Sequence, residues 1–274
     1  MPLKLMYITN KPDIATLAQA VGVDRIWIDL ETLGKEKRQG NVDSVKSHHS
    51  IEDIAIIKPL MKQSELLVRV NPINPNSKDE INSIVEKGAD IVMLPMFKTK
   101  DEVQFFIHCI DGRARILLLL ETKEATENVD EILSVEGINE IHIGLNDLHL
   151  AYKMRFMFEL LADGTVERLC GKFKAKGITY GFGGIARLRH GVLPAEYVIA
   201  EHYRLGSGMA ILSRSFCNAD KVEDVNEVSE SFKNGIDEIR AYEARLLDED
   251  ISFFENNRLL VIDKVMKIEC NMVG

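Results

Sequence analysis

Apolar residues in this chain fall into short unbroken runs, and the stretches between them carry apolar positions at helical spacing. Runs at Leu3–Thr9, Arg25–Leu30, Glu65–Val70, Ile91–Met96, Ile116–Leu120, Ile141–Leu145, Ile178–Ile185 and Met209–Arg214 read as strands. They lack polar alternation, as strands of a parallel sheet covered on both faces do. Between them, Ile14, Leu17, Ala18 and Val21 form a helical stripe behind the Asn10-Lys11-Pro12 turn. Ser50 is placed to cap a helix, and Ser77-x-x-Glu80 and Thr99-x-x-Glu102 fit capping boxes. A helix is expected through Ala125, Val129, Ile132 and Leu133 with Gly137 as its stop, and others over 164–176, 194–205 and 226–247. Strand and helix alternating in this way predict an α/β fold, a (β/α)₈ TIM barrel over residues 1–247. Residues 248–274 exceed the eight-unit count. Ile251, Phe253, Phe254, Leu259, Leu260, Ile262 and Val265 are too apolar for a free tail, so a C-terminal helical extension should pack on the barrel or on a second subunit.

The segment from Arg115 to Leu150 shows where chemistry would sit. It reads strand, helix, strand, and each strand ends in a carboxylate, Glu121 and Asp147. A crossover of this length makes the two strands parallel, so both carboxylates emerge at one edge. That C-terminal edge is where parallel α/β proteins bind ligands. Two converging carboxylates suit a hard divalent cation, since Mg²⁺ is commonly held by one or two of them. Equally, Glu121 could cap a helix and Asp147 bind loop amides. Arg69, near the C-terminal end of a buried strand, could be a structural ion pair or an anion-binding group.

Charge narrows the partners. A net charge of −9 over 274 residues disfavours nucleic acid or an anionic membrane as a partner, since either calls for a basic face. No apolar run approaches membrane-spanning length, and the N-terminal residues lack the pattern of a secretory leader. Cys109, Cys170, Cys217 and Cys270 are scattered, as expected of reduced thiols in a cytoplasmic protein.

The stretch ETKEATENVDEILSVEGINEIHIGLNDL resembles the core motif of the HpcH/HpaI aldolase and citrate lyase β-subunit family. The resemblance extends through DRIWIDLET, LLVRVN and GADIVMLPMFKT in the family's order, and IGLNDL is similar to the IGTNDL of phosphoenolpyruvate-utilising enzymes. It implies a barrel that holds pyruvate, its enolate or a related 2-oxo acid on a divalent metal, Mg²⁺ or Mn²⁺. Glu121 and Asp147 match the family's metal ligands. Arg69 matches the arginine that pairs with substrate and stabilises the enolate. Gly144, with Asn146 beside it, matches the substrate-binding turn. A homo-oligomer built through the C-terminal helix is implied as well.

Two positions depart from the pyruvate aldolase branch of that family: Thr32 stands where its acid/base histidine would be, and Leu119 stands where it has glutamine. His48 and His49, late in a long polar loop, are the candidates to replace that histidine. Lys35, Lys37 and Arg38 in the loop read first as a solvated face. His149 is a further candidate base or a loop residue bonded to backbone, Glu86 a partner near the missing histidine or a helix-surface acid, and Gly181–Gly184 a turn. The resulting expectation is a metal-dependent carbon–carbon lyase of aldolase type acting through a pyruvate-like enolate. The alternatives are a citryl- or malyl-thioester lyase or enolpyruvate-using enzyme on the same barrel, and a non-catalytic barrel that binds a small acid. The partner is thus a small 2-oxo acid or thioester.

Overall fold

The structure, a computed structural model, describes residues 1–34, 49–213, 216 and 225–271. Within them eight parallel strands close on themselves in sequence order, so the expected TIM barrel is observed. The strands are β1 (Lys4–Ile8), β2 (Arg25–Asp29), β3 (Glu65–Arg69), β4 (Ile91–Leu94), β5 (Arg115–Leu120), β6 (Glu140–Ile143), β7 (Thr179–Ile185) and β8 (Met209–Leu212). The helices are α1 (Pro12–Ala20), α2 (Ile51–Ile57), α3 (Ser77–Glu86), α4 (Lys100–Ile110), α5 (Lys123–Glu127), α6 (Val129–Ile132), α7 (Leu145–Ala151), α8 (Glu159–Ala162), α9 (Thr165–Ala175), α10 (Ala195–Leu205), α11 (Val225–Leu246) and α12 (Ile251–Asn271).

Side-chain alternation along each strand produces two cores. Outward-facing residues such as Ile26, Val68, Val92 and Leu118 pack under the helices. A separate interior cluster of Met6, Trp27, Leu67, Ile91, Met93, Leu117, Leu119 and Met209 fills the barrel, which is therefore a packed core and not a pore. Below this plug lies a charged floor. The fully buried Arg25 grips Glu140 with both terminal nitrogens, at 2.6 and 2.7 Å, and reaches Glu65 at 3.2 Å. Arg115 joins it through Glu65 and lies 3.7 Å from Glu140.

Three local expectations need correction. The helix expected through Ala125 and Leu133 is broken at Asn128, whose side-chain amide donates to the Lys98 carbonyl at 3.0 Å and ends the first piece. Leu145 opens α7 where a strand end was expected, so Asp147 sits on a helix turn. Gly181–Gly184 lie inside β7, as the strand expected over Ile178–Ile185 has them, and in place of the turn read into the four residues there is a register shift between Gly181 and Gly184. A Cβ on Gly181 would come within 2.3 Å of Met209 and 2.8 Å of His142 Nδ1, so glycine is what allows the strand to pass.

His142 inside the barrel and His202 on α10 are both fully buried. His142 Nε2 donates to the Gly183 carbonyl at 3.0 Å, and His202 stacks on Phe182 with ring centres 3.8 Å apart. Burial pushes the His142 pKa down to about 4, against the pull of the Gly183 bond, and burial pushes His202 well below the usual range. The unfolded chain protonates these rings near pH 6.5 and the folded one does not. Stability is therefore full above that pH and falls as pH drops below 6.5, by roughly 1 kcal/mol per unit for each histidine. Urea unfolding of the protein and of His142→Gln at pH 7 and pH 5.5 checks this. The substitution should remove its share of the pH dependence, and equal slopes would show that His142 does not carry it.

The C-terminal extension α12 lies on α10 and α8 of its own chain. The Asn257 amide binds the Tyr197 carbonyl at 3.1 Å and Glu201 at 2.9 Å, and Val261 and Val265 are buried. Among the described residues no helix is long and apolar enough to cross a membrane.

Candidate functional site

Parallel strands deliver their last residues to the same end, and here that end collects acids around one arginine. Asp29 closes β2 and Arg69 closes β3, directly opposite each other in the register. Arg69 Nε and Nη2 donate to the two Asp29 oxygens at 2.9 and 2.8 Å, a bidentate fork. Its Nη1 lies 3.2 Å from Glu31, and its guanidinium carbon stands 5.0 Å from the centre of the Trp27 ring. Arg69, Asp29 and Glu31 are all buried. Burial alone would lower the Arg69 pKa, but Asp29 and Glu31, with Glu121 further off, raise it above the usual arginine range. Arg69 is thus a permanent cation whose fork edge is already engaged.

Glu121 follows β5 and is buried, with one carboxylate oxygen accepting the Met96 backbone N–H at 3.2 Å. Its other oxygen lies against Gly144, where an added Cβ would stand 2.8 Å from Oε2 and 2.9 Å from the Glu121 Cβ. Gly144 has no left-handed backbone angle to justify it; its role is the space it leaves for this carboxylate. Asp147 lies in the first turn of α7, which Gly144 caps, and Asn146 beside it is exposed.

His48 and the lysines and arginine of the long loop lie outside the described residues. His49 is described, and its Nδ1 accepts the Asp29 backbone N–H at 2.9 Å, which puts the proton of the neutral ring on Nε2. His149 is buried on α7, not in a loop, with Nδ1 3.1 Å from the Leu145 carbonyl. Glu86 is the last residue of the ten-residue helix α3 that Ser77 opens, and so lies at the far end from the strand tips.

Sequence reasoning missed the groups that hold this edge together. The Asn71 side-chain oxygen accepts the Thr32 and Leu33 N–H groups at 2.9 and 3.0 Å, and its amide donates to Glu80 at 2.9 Å. Glu80, read as a capping residue, is the acid that reaches this loop. A signal was available in Asp29-x-Glu31, because a period of two puts both acids on one side of β2. Beside the His49–Asp29 link a cleft of about 410 Å³ is lined by Leu30, Thr32, His49, Asn71, Asn74 and Glu80.

A model of the HpcH/HpaI aldolase/citrate lyase family matches residues 4–157, more than half of the chain. The hydroxypyruvate/pyruvate aldolase of Rhizorhabdus wittichii is 26% identical over 184 residues, spanning 53% of this chain and 72% of that protein. The HpcH/HpaI aldolase of Desulfitobacterium hafniense superposes with a TM-score of 0.61 at 15% identity, over 77% of this chain and 86% of its own. A HpcH/HpaI aldolase/citrate lyase family protein from Burkholderia cenocepacia gives 0.62 at 16% identity, over 87% and 95%. The two structures share the barrel, and with the family model covering the strands from β1 to β6, this chain belongs to the HpcH/HpaI aldolase/citrate lyase family.

Proposed function

We propose that the protein is a lyase of aldolase type that makes or breaks a carbon–carbon bond beside a pyruvate-like enolate. The observation that carries this reading is the meeting of a buried, permanently charged Arg69 with Glu121 and Gly144 at the C-terminal edge of the barrel. The similarity to a hydroxypyruvate/pyruvate aldolase supports the choice of substrate class.

The donor set fits a hard divalent cation. Glu121 and Asp147 are oxygen donors from adjacent β–α connections, and the missing Cβ at Gly144 leaves room beside the Glu121 carboxylate. Asp29, Glu31 and Glu121 put three carboxylates near one guanidinium, and Arg69 is already paired, so an anionic substrate needs a further positive charge. A group of three or more acid, histidine or cysteine side chains arranged for a metal is absent among the described residues, so substrate and water oxygens would complete the coordination. When bound, a divalent cation supplies Lewis-acid stabilisation of charge on the substrate oxygen.

The chain's own residues do the rest. Asp29 and Glu31 fix the guanidinium, so Arg69 meets developing enolate charge without rearranging. Trp27 beneath it excludes water from below. His49, whose neutral ring carries its proton on Nε2, is assigned a hydrogen bond from that nitrogen to the substrate oxygen on which charge develops. The cleft beside His49 has the size of a small-ligand site and would take the second substrate.

The test is exchange of pyruvate methyl protons into D₂O, followed by NMR with Mn²⁺ present. Glu121→Gln keeps shape but loses charge, and it should abolish Mn²⁺ binding and slow exchange by at least about 100-fold. Exchange at the unaltered rate, or unchanged Mn²⁺ affinity, would overturn the assignment.

A further inference from the structure

Met96 has a left-handed backbone, with φ of +54°, two residues after β4. A residue with a Cβ adopts this region at a cost, and unlike Asp111, which takes the same conformation as the C-cap of α4, Met96 ends no helix. The bend has a visible result: it aims the Met96 N–H at Glu121 Oε1, 3.2 Å away. The chain that follows it is also held. Thr122, the neighbour of Glu121, donates its hydroxyl to the Phe97 carbonyl at 2.8 Å, and Asn128 donates to the next carbonyl, Lys98, at 3.0 Å. The tips of β4 and β5 are therefore cross-linked by reciprocal bonds, Met96 to Glu121 and Thr122 to Phe97. Strained backbone that its surroundings over-determine in this way marks a place where geometry is being enforced.

We infer that Met96 is a positioning residue: its left-handed backbone fixes the Glu121 carboxylate by one oxygen and sets the other against Gly144, ready for a cation. This rests on the reading of Glu121 as a metal ligand given above. The side chain is incidental to the role, since the working group is the backbone N–H. The requirement is a residue that tolerates positive φ.

Mn²⁺ affinity of the purified protein, read from the free-ion electron paramagnetic resonance signal, tests this without any assay of turnover. Met96→Val is β-branched and disfavours the left-handed region, so it should weaken Mn²⁺ binding by about tenfold or more. Met96→Gly adopts that region freely and should bind within about threefold of the unaltered protein. Thr122→Val leaves Met96 in place but removes the bond to Phe97, and it should weaken binding several-fold; it decides the matter if Met96→Val does not fold. Unchanged affinity in a folded Met96→Val, or equal losses in the valine and glycine variants, overturns the inference. If Glu121→Gln abolishes binding while Met96→Val and Thr122→Val do not change it, the metal reading stands and the positioning role alone falls. If Glu121→Gln binds Mn²⁺ normally, the metal reading falls first and takes this inference with it.

Discussion

Arg69→Lys is expected to slow enolate formation by about 100- to 1000-fold, the loss typical of removing one preorganised donor from a site of developing negative charge. Lysine keeps the positive charge, so the effect isolates geometry. A guanidinium holds both Asp29 oxygens through Nε and Nη2 and approaches Glu31 through Nη1, all in one plane. An ammonium is a point charge that cannot span the two acids and still face the substrate. D₂O exchange of pyruvate methyl protons measures it, with Mn²⁺ binding as a control that should change little. Exchange within about threefold of the original rate would mean that Arg69 is a structural ion pair at the barrel mouth, and the enolate role would be lost.

The second large effect lies at the opposite end. Arg25→Met is expected to destabilise the fold by about 3–5 kcal/mol, because it leaves the buried Glu140 carboxylate with only the more distant Arg115 as a cation. Arg25→Met with Glu140→Leu should recover most of that loss, since the costly species is the unpaired charge and apolar side chains of similar volume can pack in its place. Urea unfolding of both variants at pH 7 gives the comparison. A single variant that loses less than about 1 kcal/mol, or a double variant no better than the single, would show that the floor is not the anchor its geometry suggests.

What could be read from the sequence follows the range of the interactions. The strands were legible because each is an unbroken apolar run, and the barrel followed from their alternation with helices. The breaks were not. Asn128 divides its helix by bonding to Lys98, thirty residues back, which no local period encodes. The edge carrying Arg69 and Glu121 was placed correctly, since strand direction alone dictates it. The groups that grip those residues were missed: Asp29 meets Arg69 only through the β2–β3 register, and Met96 meets Glu121 only because its backbone turns left-handed. Gly144 was read as a turn or a substrate contact; its close contact with the Glu121 side chain was not foreseen. His49 was singled out as a titratable group near the mouth; its bond to the Asp29 amide, which sets the tautomer, depends on where the loop returns.

The filled interior has an evolutionary consequence. Arg25 and Asp29 are four residues apart on one strand, so the floor and the mouth are separated by about 13 Å of packed side chains. Substitutions at the two ends share no partners, and their effects should add. A lineage can therefore exchange the residues that choose a substrate at the strand tips without renegotiating the ion network that keeps the barrel closed. It can likewise repack the floor without relearning its chemistry. Thr32, in the place where the pyruvate aldolase branch has histidine, sits at the end that is free to change.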